Sequence, residues 1–296
     1  MSNFGTKRDD IKWTRLHLKE DSLKGKKIAI VGGTGGLGRA IASECIAKGA
    51  EVIVIGRTFR DQNIPRLSFI HADVSEIKSI QYLTKELPAE TLDILIMTQG
   101  IYAGKKRKTN SVGIELDMAT SYLSRYSILH SIVDRIGKSR IHANTKPRVF
   151  VWGFPGGDRE ATLDDFNSEK NYRWSVAHSN TVVGNESLVI DSAEHFPLVN
   201  FYGMNPGIIK SNIMSGVLGE KSFLLKLQQT IIGILFQSAE QYAKKIVPLL
   251  VSPDIEHFSG TMFDRNGDPI LSNSILLDKD YVKLVLEESE KLISTV

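Results

Sequence analysis

A glycine-rich run near the start of the chain has the residue types and the spacing that bind a nucleotide phosphate. It reads Val31-Gly32-Gly33-Thr34-Gly35-Gly36-Leu37-Gly38, in which Gly32, Gly36 and Gly38 form the pattern G-x-x-x-G-x-G. Glycine permits a tight turn and a close approach of the backbone to a ligand. The N–H groups that begin a helix carry a partial positive charge that suits a pyrophosphate. We therefore predict a phosphate-binding loop that includes Thr34 and Leu37; the alternative is a flexible turn without a ligand.

The elements around this run are those that such a loop requires. An apolar strand at 27–31 precedes it, a helical pattern near 36–48 follows, and a second apolar strand lies at 51–55. This strand–loop–helix–strand context distinguishes a dinucleotide site from an isolated glycine motif. The run therefore opens the first βαβ unit of the chain.

The same alternation continues along most of the chain. Strands rich in Ile and Val, without polar alternation, are typical of a parallel sheet that is covered by helices on both faces. The sequence thus predicts an α/β protein with a single doubly wound parallel sheet, a Rossmann fold. Further strands are predicted at 67–71, 92–97, 147–152, 197–203 and 259–263, and further helices at 75–87, 113–136, 178–193, 214–236, 238–250 and 279–294.

Composition and charge narrow the class of protein. The chain has 296 residues, 42% of them hydrophobic, and a net charge of +3, which does not indicate a nucleic acid partner. We expect a polar N-terminal extension at 1–25 and one domain at 26–296. No secretory signal or membrane span is predicted. Cys45 is the single cysteine, which favours a reducing compartment, so we expect a cytoplasmic protein.

Over roughly 26–270 the chain resembles the short-chain dehydrogenase/reductase family, and within it an atypical fungal branch of oxidoreductases related to the retinol-dehydrogenase-type members. The landmarks are the glycine loop, Asp73-Val74 after the third strand, Thr98-Gln99-Gly100 after the fourth, and the stretch from Asn205 to Ser211. The resemblance implies that Asp73 and Val74 contact adenine and that Gly100 lies beside the coenzyme. It further implies that the nicotinamide amide is met by Pro206, Gly207, Ile209 and Ser211.

The residues that carry out catalysis in this family are missing from the chain. The family pattern Ala-Tyr-x-x-Ser-Lys falls on the stretch that begins at Ala177, so His178 stands in place of the Tyr and Val182 in place of the Lys. The family's Ser falls near Trp152-Gly153-Phe154-Pro155, which offers no hydroxyl. The helix Asn falls on Ser121. The resemblance therefore implies an unusual site.

His178 and Val182 are consistent with one another. A Tyr needs a neighbouring positive charge to act near neutral pH, whereas an imidazole has an ordinary pKa of about 6.5 and needs none. We predict that His178 donates a proton, directly or through a water, and that Ser121 is a second catalytic residue, with Asn180 as a further polar group. The alternative is that His178 is only a hydrogen-bonded helix residue, and that Ser121 bonds its own backbone.

Arg57 bears on the choice of coenzyme. Selectivity for NAD usually needs an acid at the end of the second strand, and that place is taken by Gly56, followed by Arg57. A guanidinium there favours the 2′-phosphate of NADP(H), although Arg also stacks on adenine without a phosphate. We expect NADP(H) or NAD(H), with NADP(H) preferred, and no metal.

The function predicted from these residues is NAD(P)H-dependent reduction of an aldehyde or ketone, with small reactive aldehydes favoured because they need less acid assistance. The partner is a small carbonyl or alcohol, under a substrate lid near 212–236. The helices at 113–136 and 178–193 correspond to those that pair in family dimers, so a homodimer is left open. The alternative, from another class, is a nucleotide-binding pseudoenzyme that lacks the Tyr-Lys pair.

Overall fold

A central sheet of eight strands organises the protein. The computed structural model describes residues 5–102, 104–141, 144–207 and 237–294. Within them the strand order is β3-β2-β1-β4-β5-β6-β7-β8, in which neighbours from β3 to β7 run parallel and β8 is antiparallel to β7. The strands are β1 Lys27–Val31, β2 Glu51–Gly56, β3 Leu67–His71, β4 Ile94–Met97, β5 Arg148–Val151, β6 Asn200–Met204, β7 Thr261–Phe263 and β8 Pro269–Ile270.

Helices cover both faces of this sheet, each with its own apolar core. One core joins the sheet to α1 and α5 through Ile41 and Ile246, and the other joins it to α2, α3, α4 and α6, for example through Leu188. This arrangement confirms the doubly wound fold. The helices are α1 Gly36–Ala47, α2 Ile77–Glu86, α3 Ser124–Ile132, α4 Trp174–His195, α5 Ala239–Val251 and α6 Lys279–Ser294.

The helix predicted at 113–136 is not one regular helix. The segment Met118–Leu123 is π-helical and leads directly into α3, which ends at Ile132. A π-helical turn widens the helix locally, and such turns occur frequently at functional sites. Periodicity alone does not distinguish it from an α-helix, because both bury the same residues.

Several other element boundaries differ from the predictions by a few residues, and one strand was not predicted. Helix α4 begins at Trp174 rather than at 178, and strand β8 was not predicted because two residues carry no periodic signal. The predicted helix at 214–236, the lid near 212–236 and the candidate residues Ile209 and Ser211 lie outside the described residues. Among the described residues, no helix has the length and apolarity required to cross a bilayer.

The N-terminal segment contacts the far edge of the sheet. The backbone N–H of Arg8 donates to Pro269 O over 2.9 Å, and the indole N–H of Trp13 donates to Gly267 O over 2.6 Å. Lys7 pairs with Asp268 at 2.7 Å. From residue 5 onward this extension is therefore bonded to the strands that end the domain.

The C-terminal helix α6 packs against α4 and the π-helical turn. The Tyr122 hydroxyl and the Ser289 hydroxyl form a buried hydrogen bond of 2.6 Å, and Lys279 pairs with Glu194 at 2.6 Å. Gly184 of α4 lies so close to the Tyr122 ring that a Cβ there would come within 2.6 Å of it. Helix α4 is therefore held between the sheet and the end of the chain.

Candidate functional site

The glycine loop joins β1 to α1 at the carboxyl edge of the sheet, which is where doubly wound folds bind their ligands. Gly32 has φ +81°, a conformation that favours glycine. A Cβ on Gly38 would lie 2.4 Å from both Gly32 O and Thr98 Oγ1. Glycine is therefore required at both positions so that α1 can begin in close contact with the ends of β1 and β4.

The remaining glycines of the loop face open space and form a cradle. No atom lies within 4 Å of a Cβ built on Gly35 or Gly36, although Gly36 itself has φ +49°. No side chain caps the N-terminus of α1, so its first N–H groups, near Leu37, are available to a ligand. Open space in front of an uncapped helix start fits the pyrophosphate of a dinucleotide.

Thr34 and Gly56 are in close contact at the end of β2. A Cβ on Gly56 would lie 2.5 Å from Thr34 Oγ1, so the Thr34 side chain occupies the place of a side chain at position 56. The carboxylate that binds a ribose in NAD-selective sites therefore has no room at this position.

Among the charged side chains beside Gly56, one cation is available to a ligand. Arg57 is exposed and forms no ion pair with any residue in the described ranges. The nearby carboxylate of Asp61 is occupied by Arg39 of α1, whose Nε donates to it over 2.7 Å. The guanidinium of Arg57 thus remains available to an anionic group such as a 2′-phosphate.

Asp73 is fixed by the turn that follows β3. Its Oδ1 accepts from the backbone N–H and the hydroxyl of Ser75, at 3.1 and 2.7 Å, and its own N–H donates to Ser79 Oγ at 2.9 Å. Val74 is almost fully buried next to it. These bonds give the Asp73-Val74 pair one defined position at the loop end of β3.

The loops that follow β4 and β6 lie along the same carboxyl edge of the sheet. Gly100 follows β4, and a Cβ on it would lie 3.5 Å from Ser121 Oγ. Pro206 and Gly207 follow β6 and are buried, with Gly207 at φ +64° and its N–H donating to Asn205 Oδ1 over 3.0 Å. Asn205 also donates to Pro155 O over 2.8 Å, which ties this stretch to the loop after β5.

His178 lies in the second turn of α4 and is paired with a carboxylate. Its Nδ1 is 2.9 Å from Asp117 Oδ2, and the His178 residue is only 9% exposed. An ionised carboxylate only accepts hydrogen bonds, so this contact assigns the proton to Nδ1 and leaves Nε2 for a ligand. Such an arrangement fixes the orientation of the imidazole ring.

Three half-buried aromatic rings, contributed by three different elements, cluster around His178. The ring of Tyr102 lies with its centroid 4.1 Å from that of His178, and the ring of Phe154 lies 6.3 Å away at a steep angle. Trp174 contacts Tyr102 edge to face at 5.7 Å. Phe154 has φ +56°, which is unfavourable for a bulky residue. The imidazole is therefore bordered by uncharged, apolar surface.

The buried charges behind His178 influence one another. Burial raises the pKa of Glu115 to about 7, and the charge of Asp117 raises it further. Burial lowers the pKa of Arg125 to about 9, while Asp117 acts in the opposite direction. Arg125 therefore stays charged at neutral pH, and its guanidinium donates to Gln99 O beside Gly100. The Asp117 carboxylate thus lies in the field of one buried cation.

Ser121 and Asn180 have structural bonds. The Ser121 hydroxyl, in the π-helical turn, accepts from Ile101 N at 3.0 Å, and its carbonyl accepts from Asn185 of α4 at 2.9 Å. The Asn180 side chain is fully buried and bonded to Thr162 N and Phe166 O, so it is not available to a substrate. Val182 is likewise buried. The structure brings Asp117 and Tyr102 to His178, and a catalytic role of Ser121 stays a prediction.

Asp117 and Tyr102 were not predicted from the sequence. Asp117 lies in an apolar helical pattern, where a buried acid is unusual, and that anomaly was the signal that could have identified it. Tyr102 follows the fourth strand by five residues, in a loop with no periodicity. No cluster of metal-binding side chains occurs in the ranges that the structure describes.

Comparisons with known proteins identify the family of this chain. The model of the short chain dehydrogenase family matches residues 26–138. The uncharacterized oxidoreductase YKL107W of Saccharomyces cerevisiae is 44% identical over 295 residues, which cover 98% of this chain and 95% of that protein. Retinol dehydrogenase 14 of Mus musculus is 23% identical over 92% of this chain and 86% of its own.

A solved structure shows the same fold. An uncharacterized protein from Mycobacterium paratuberculosis superposes with a TM-score of 0.66 at 18% identity, covering 95% of this chain and 97% of that one. The yeast oxidoreductase is similar over almost the whole chain, including the region beyond residue 138 that the family model does not match. The chain therefore belongs to the short-chain dehydrogenase/reductase family, with retinol-dehydrogenase-type relatives.

Proposed function

We propose that this protein interconverts a carbonyl compound and an alcohol with a nicotinamide coenzyme, and that His178 moves the proton. The observation that carries the proposal is the His178–Asp117 pair, with its 2.9 Å bond at the start of α4. A buried acid that fixes one imidazole nitrogen and leaves the other is the arrangement of a general acid–base group. The loss of the family's Tyr and Lys is thereby compensated by a different pair.

In the reductive direction, residues of this chain would bind the coenzyme, transfer a proton and hold the proton donor in place. A bound nicotinamide coenzyme would supply the hydride, and the glycine loop and Asp73 would orient it. The protonated His178 gives its Nε2 proton to the carbonyl oxygen, directly or through a water, as the C=O double bond becomes single. Asp117 accepts a hydrogen bond from Nδ1 and so holds the ring in place, and the ring regains its Nε2 proton from solvent.

The residues around Arg57 favour NADP(H) over NAD(H) in this proposal. Thr34 fills the place of an acid at position 56, and Arg39 occupies Asp61. Arg57 is then available to bind a 2′-phosphate. We expect Arg57→Ala to weaken NADPH binding by about tenfold, the loss of one charge-assisted hydrogen bond, with NADH binding unchanged. An unchanged NADPH/NADH preference in this variant would contradict the assignment.

The substrate that fits is an uncharged carbonyl compound. His178 is bordered by Tyr102 and Phe154, while the Asp117 carboxylate lies against its Nδ1, which disfavours a carboxylate substrate. One relative is named for the dehydrogenation of an alcohol, retinol, and another is named an oxidoreductase. These names support a catalytic role rather than a pseudoenzyme, and among carbonyl compounds we favour small aldehydes.

The experiment combines coenzyme titration with turnover. NADH and NADPH are titrated by fluorescence, and a panel of aldehydes and ketones is then followed by absorbance. We expect turnover in the wild type and a loss of about 100-fold or more in kcat for His178→Ala, with the coenzyme Kd unchanged, as for removal of a general acid. Asp117→Asn should lower kcat in the same direction.

His195→Ala is the matched control for this experiment. His195 lies at the end of the same helix and also pairs with an acid, Asp191, at 3.0 Å, but its side chain is exposed. We expect wild-type turnover in this variant. Coenzyme binding without turnover of any carbonyl, or turnover that persists unchanged in His178→Ala, would contradict the proposed role of His178.

A further inference from the structure

Tyr102 has the closest aromatic contact with His178. Its ring centroid lies 4.1 Å from the imidazole centroid at an angle of 49°, and Trp174 packs against its edge. The residue follows β4 and Gly100, at the carboxyl edge of the sheet where the coenzyme site lies. Two packing partners on α4 thus fix the ring beside the group that we propose to move the proton.

The hydroxyl of Tyr102 has no hydrogen-bond partner among the described residues. Five other tyrosines do have one: Tyr122, Tyr172, Tyr202, Tyr242 and Tyr281. A tyrosine in a largely apolar setting usually pairs its O–H. The Tyr102 residue is half-buried, and its hydroxyl is not one of the fully buried, unpaired polar atoms of the described residues, so it is open to a bound molecule.

The electrostatic environment keeps this hydroxyl protonated. Burial raises the pKa of Tyr102, and the negative charge of Asp117 raises it further, against a smaller opposing effect of Arg159. A phenol that holds its proton through the neutral and mildly alkaline range is a hydrogen-bond donor under all working conditions. It is not a base in that range.

We propose that Tyr102 is a second catalytic residue, whose O–H donates a hydrogen bond to the carbonyl oxygen while His178 supplies the proton. This inference depends on the proposed function. As the hydride reaches the carbonyl carbon, the electron pair of the C=O bond moves to oxygen, which takes the Nε2 proton of His178. The Tyr102 hydroxyl keeps its own proton and stabilises the charge that develops on that oxygen, as an oxyanion-hole donor does.

The variant Tyr102→Phe isolates the hydroxyl, because it retains the ring that packs on His178 and Trp174. We expect kcat/KM to fall by about 10- to 100-fold, the lower part of the range for removing one oxyanion donor, with the coenzyme Kd within about twofold of wild type. The pH profile of kcat should keep its shape, because the substitution leaves the His178–Asp117 pair in place. An unchanged kcat/KM would overturn the proposal.

Tyr126→Phe is the matched control. Tyr126 of α3 also stacks on a histidine, His130, with centroids 4.0 Å apart, and its other ring contact is with Tyr122 rather than with His178. We expect this variant to retain wild-type activity. If Tyr126→Phe lowers kcat/KM as much as Tyr102→Phe does, the effect is a general loss of packing and the catalytic role of Tyr102 is wrong.

A binding experiment separates this inference from the proposed function. A small primary amide presents a carbonyl oxygen but is not reduced, so it reports the hydrogen bond without turnover. We expect its Kd for the NADPH-loaded protein to rise by about fivefold in Tyr102→Phe, which corresponds to about 1 kcal/mol. A wild type without turnover would contradict the proposed function alone, whereas equal amide binding by the two proteins would overturn the role of Tyr102.

Discussion

The imidazole of His178 is defined by contacts that come from distant parts of the chain. Asp117 bonds its Nδ1, Tyr102 covers one side of the ring, and Phe154 approaches it from the loop after β5. The family pattern around Ala177 identified His178 from the sequence. Asp117 lies 61 residues away, and nothing local in the sequence indicates that the two side chains meet.

Phe154 provides a prediction at the scale of one residue. It has φ +56° and is followed by Pro155, so a bulky side chain is held in a conformation that costs about 1–2 kcal/mol. Phe154→Gly and Phe154→Ala both remove the ring beside His178, but only Gly relieves the backbone. We expect the Gly variant to be more stable than the Ala variant by about 1 kcal/mol in urea unfolding.

Both variants should also lower kcat/KM to a similar extent if the ring positions His178. Equal stabilities of the two variants would show that the backbone at 154 relaxes without glycine. Wild-type activity in both would show that Phe154 has no part in the site.

At the scale of elements, the glycine loop divides into a packing part and a binding part. Gly32 and Gly38 allow β1, α1 and β4 to come together, whereas Gly35 and Gly36 face open space. The sequence pattern predicted the loop as a whole but not this division, because the division depends on what lies opposite each glycine. What lies opposite each glycine is set by how α1 packs on the sheet.

This division predicts opposite results for two substitutions. Gly35 has extended backbone, so Gly35→Ala should leave the Tm of the ligand-free protein unchanged. Its new methyl group enters the phosphate cradle, so we expect the coenzyme Kd to rise by about tenfold or more, the cost of a lost phosphate hydrogen bond and a steric contact. Gly38→Ala should lower both Tm and affinity, because its Cβ would meet Gly32 O at 2.4 Å. Unchanged coenzyme affinity in Gly35→Ala would contradict the phosphate site.

The π-helical turn Met118–Leu123 is the second element that positions residues of the candidate site. It follows Asp117 directly and contains Ser121, whose hydroxyl bonds the backbone of Ile101 beside Tyr102. The turn therefore connects the Asp117 side of the site to the loop that carries Tyr102. Helical periodicity predicted a regular helix here, since a one-residue widening does not change which side chains are apolar.

At the scale of the whole molecule, Glu186 connects three segments of the chain. It lies in α4, is 2% exposed, and accepts from Gly156 N at 3.2 Å and from Asn273 N at 2.6 Å. Gly156 belongs to the loop that carries Phe154, and Asn273 follows the last strand. Burial raises the pKa of Glu186 to about 7, against its backbone hydrogen bonds and the charge of Arg159.

A raised pKa of an acid makes the fold less stable as pH rises. Between the unfolded pKa of Glu186, near 4.5, and its folded value of about 7, the folded protein holds a proton that the unfolded chain has lost. The free energy of unfolding should therefore fall by about 1.4 kcal/mol per pH unit over most of that window from this group alone. Glu115 contributes a slope of the same sign.

Glu186→Gln tests this dependence. We expect urea unfolding at pH 5, 6, 7 and 8 to give a shallower decline than in the wild type, because the amide does not titrate, although the variant loses one acceptor and is less stable at pH 5. Glu194→Gln is the control, since Glu194 of the same helix is an exposed partner of Lys279. Parallel stability curves for Glu186→Gln and wild type would contradict the raised pKa.

Helix α4, one of the two helices predicted to pair in a homodimer, packs against α6 in this molecule. Helix α6 packs on α4 through the Tyr122–Ser289 bond and the Lys279–Glu194 pair. A homodimer that uses α3 and α4 would have to leave α6 in place or displace it. The oligomeric state therefore stays a prediction.

The amino-acid sequence by itself determined the alternation of strands and helices and the glycine loop between β1 and α1, and it singled out His178. These features depend on residue types and on spacings of a few residues, which apolar periodicity and glycine placement record. Only the tertiary structure decided that Asp117, Tyr102 and Phe154 surround that histidine. It also decided that the Asn180 side chain forms its hydrogen bonds with loop residues. Such contacts join segments far apart in the chain, and they arise from packing around a shared core, for which no local pattern exists.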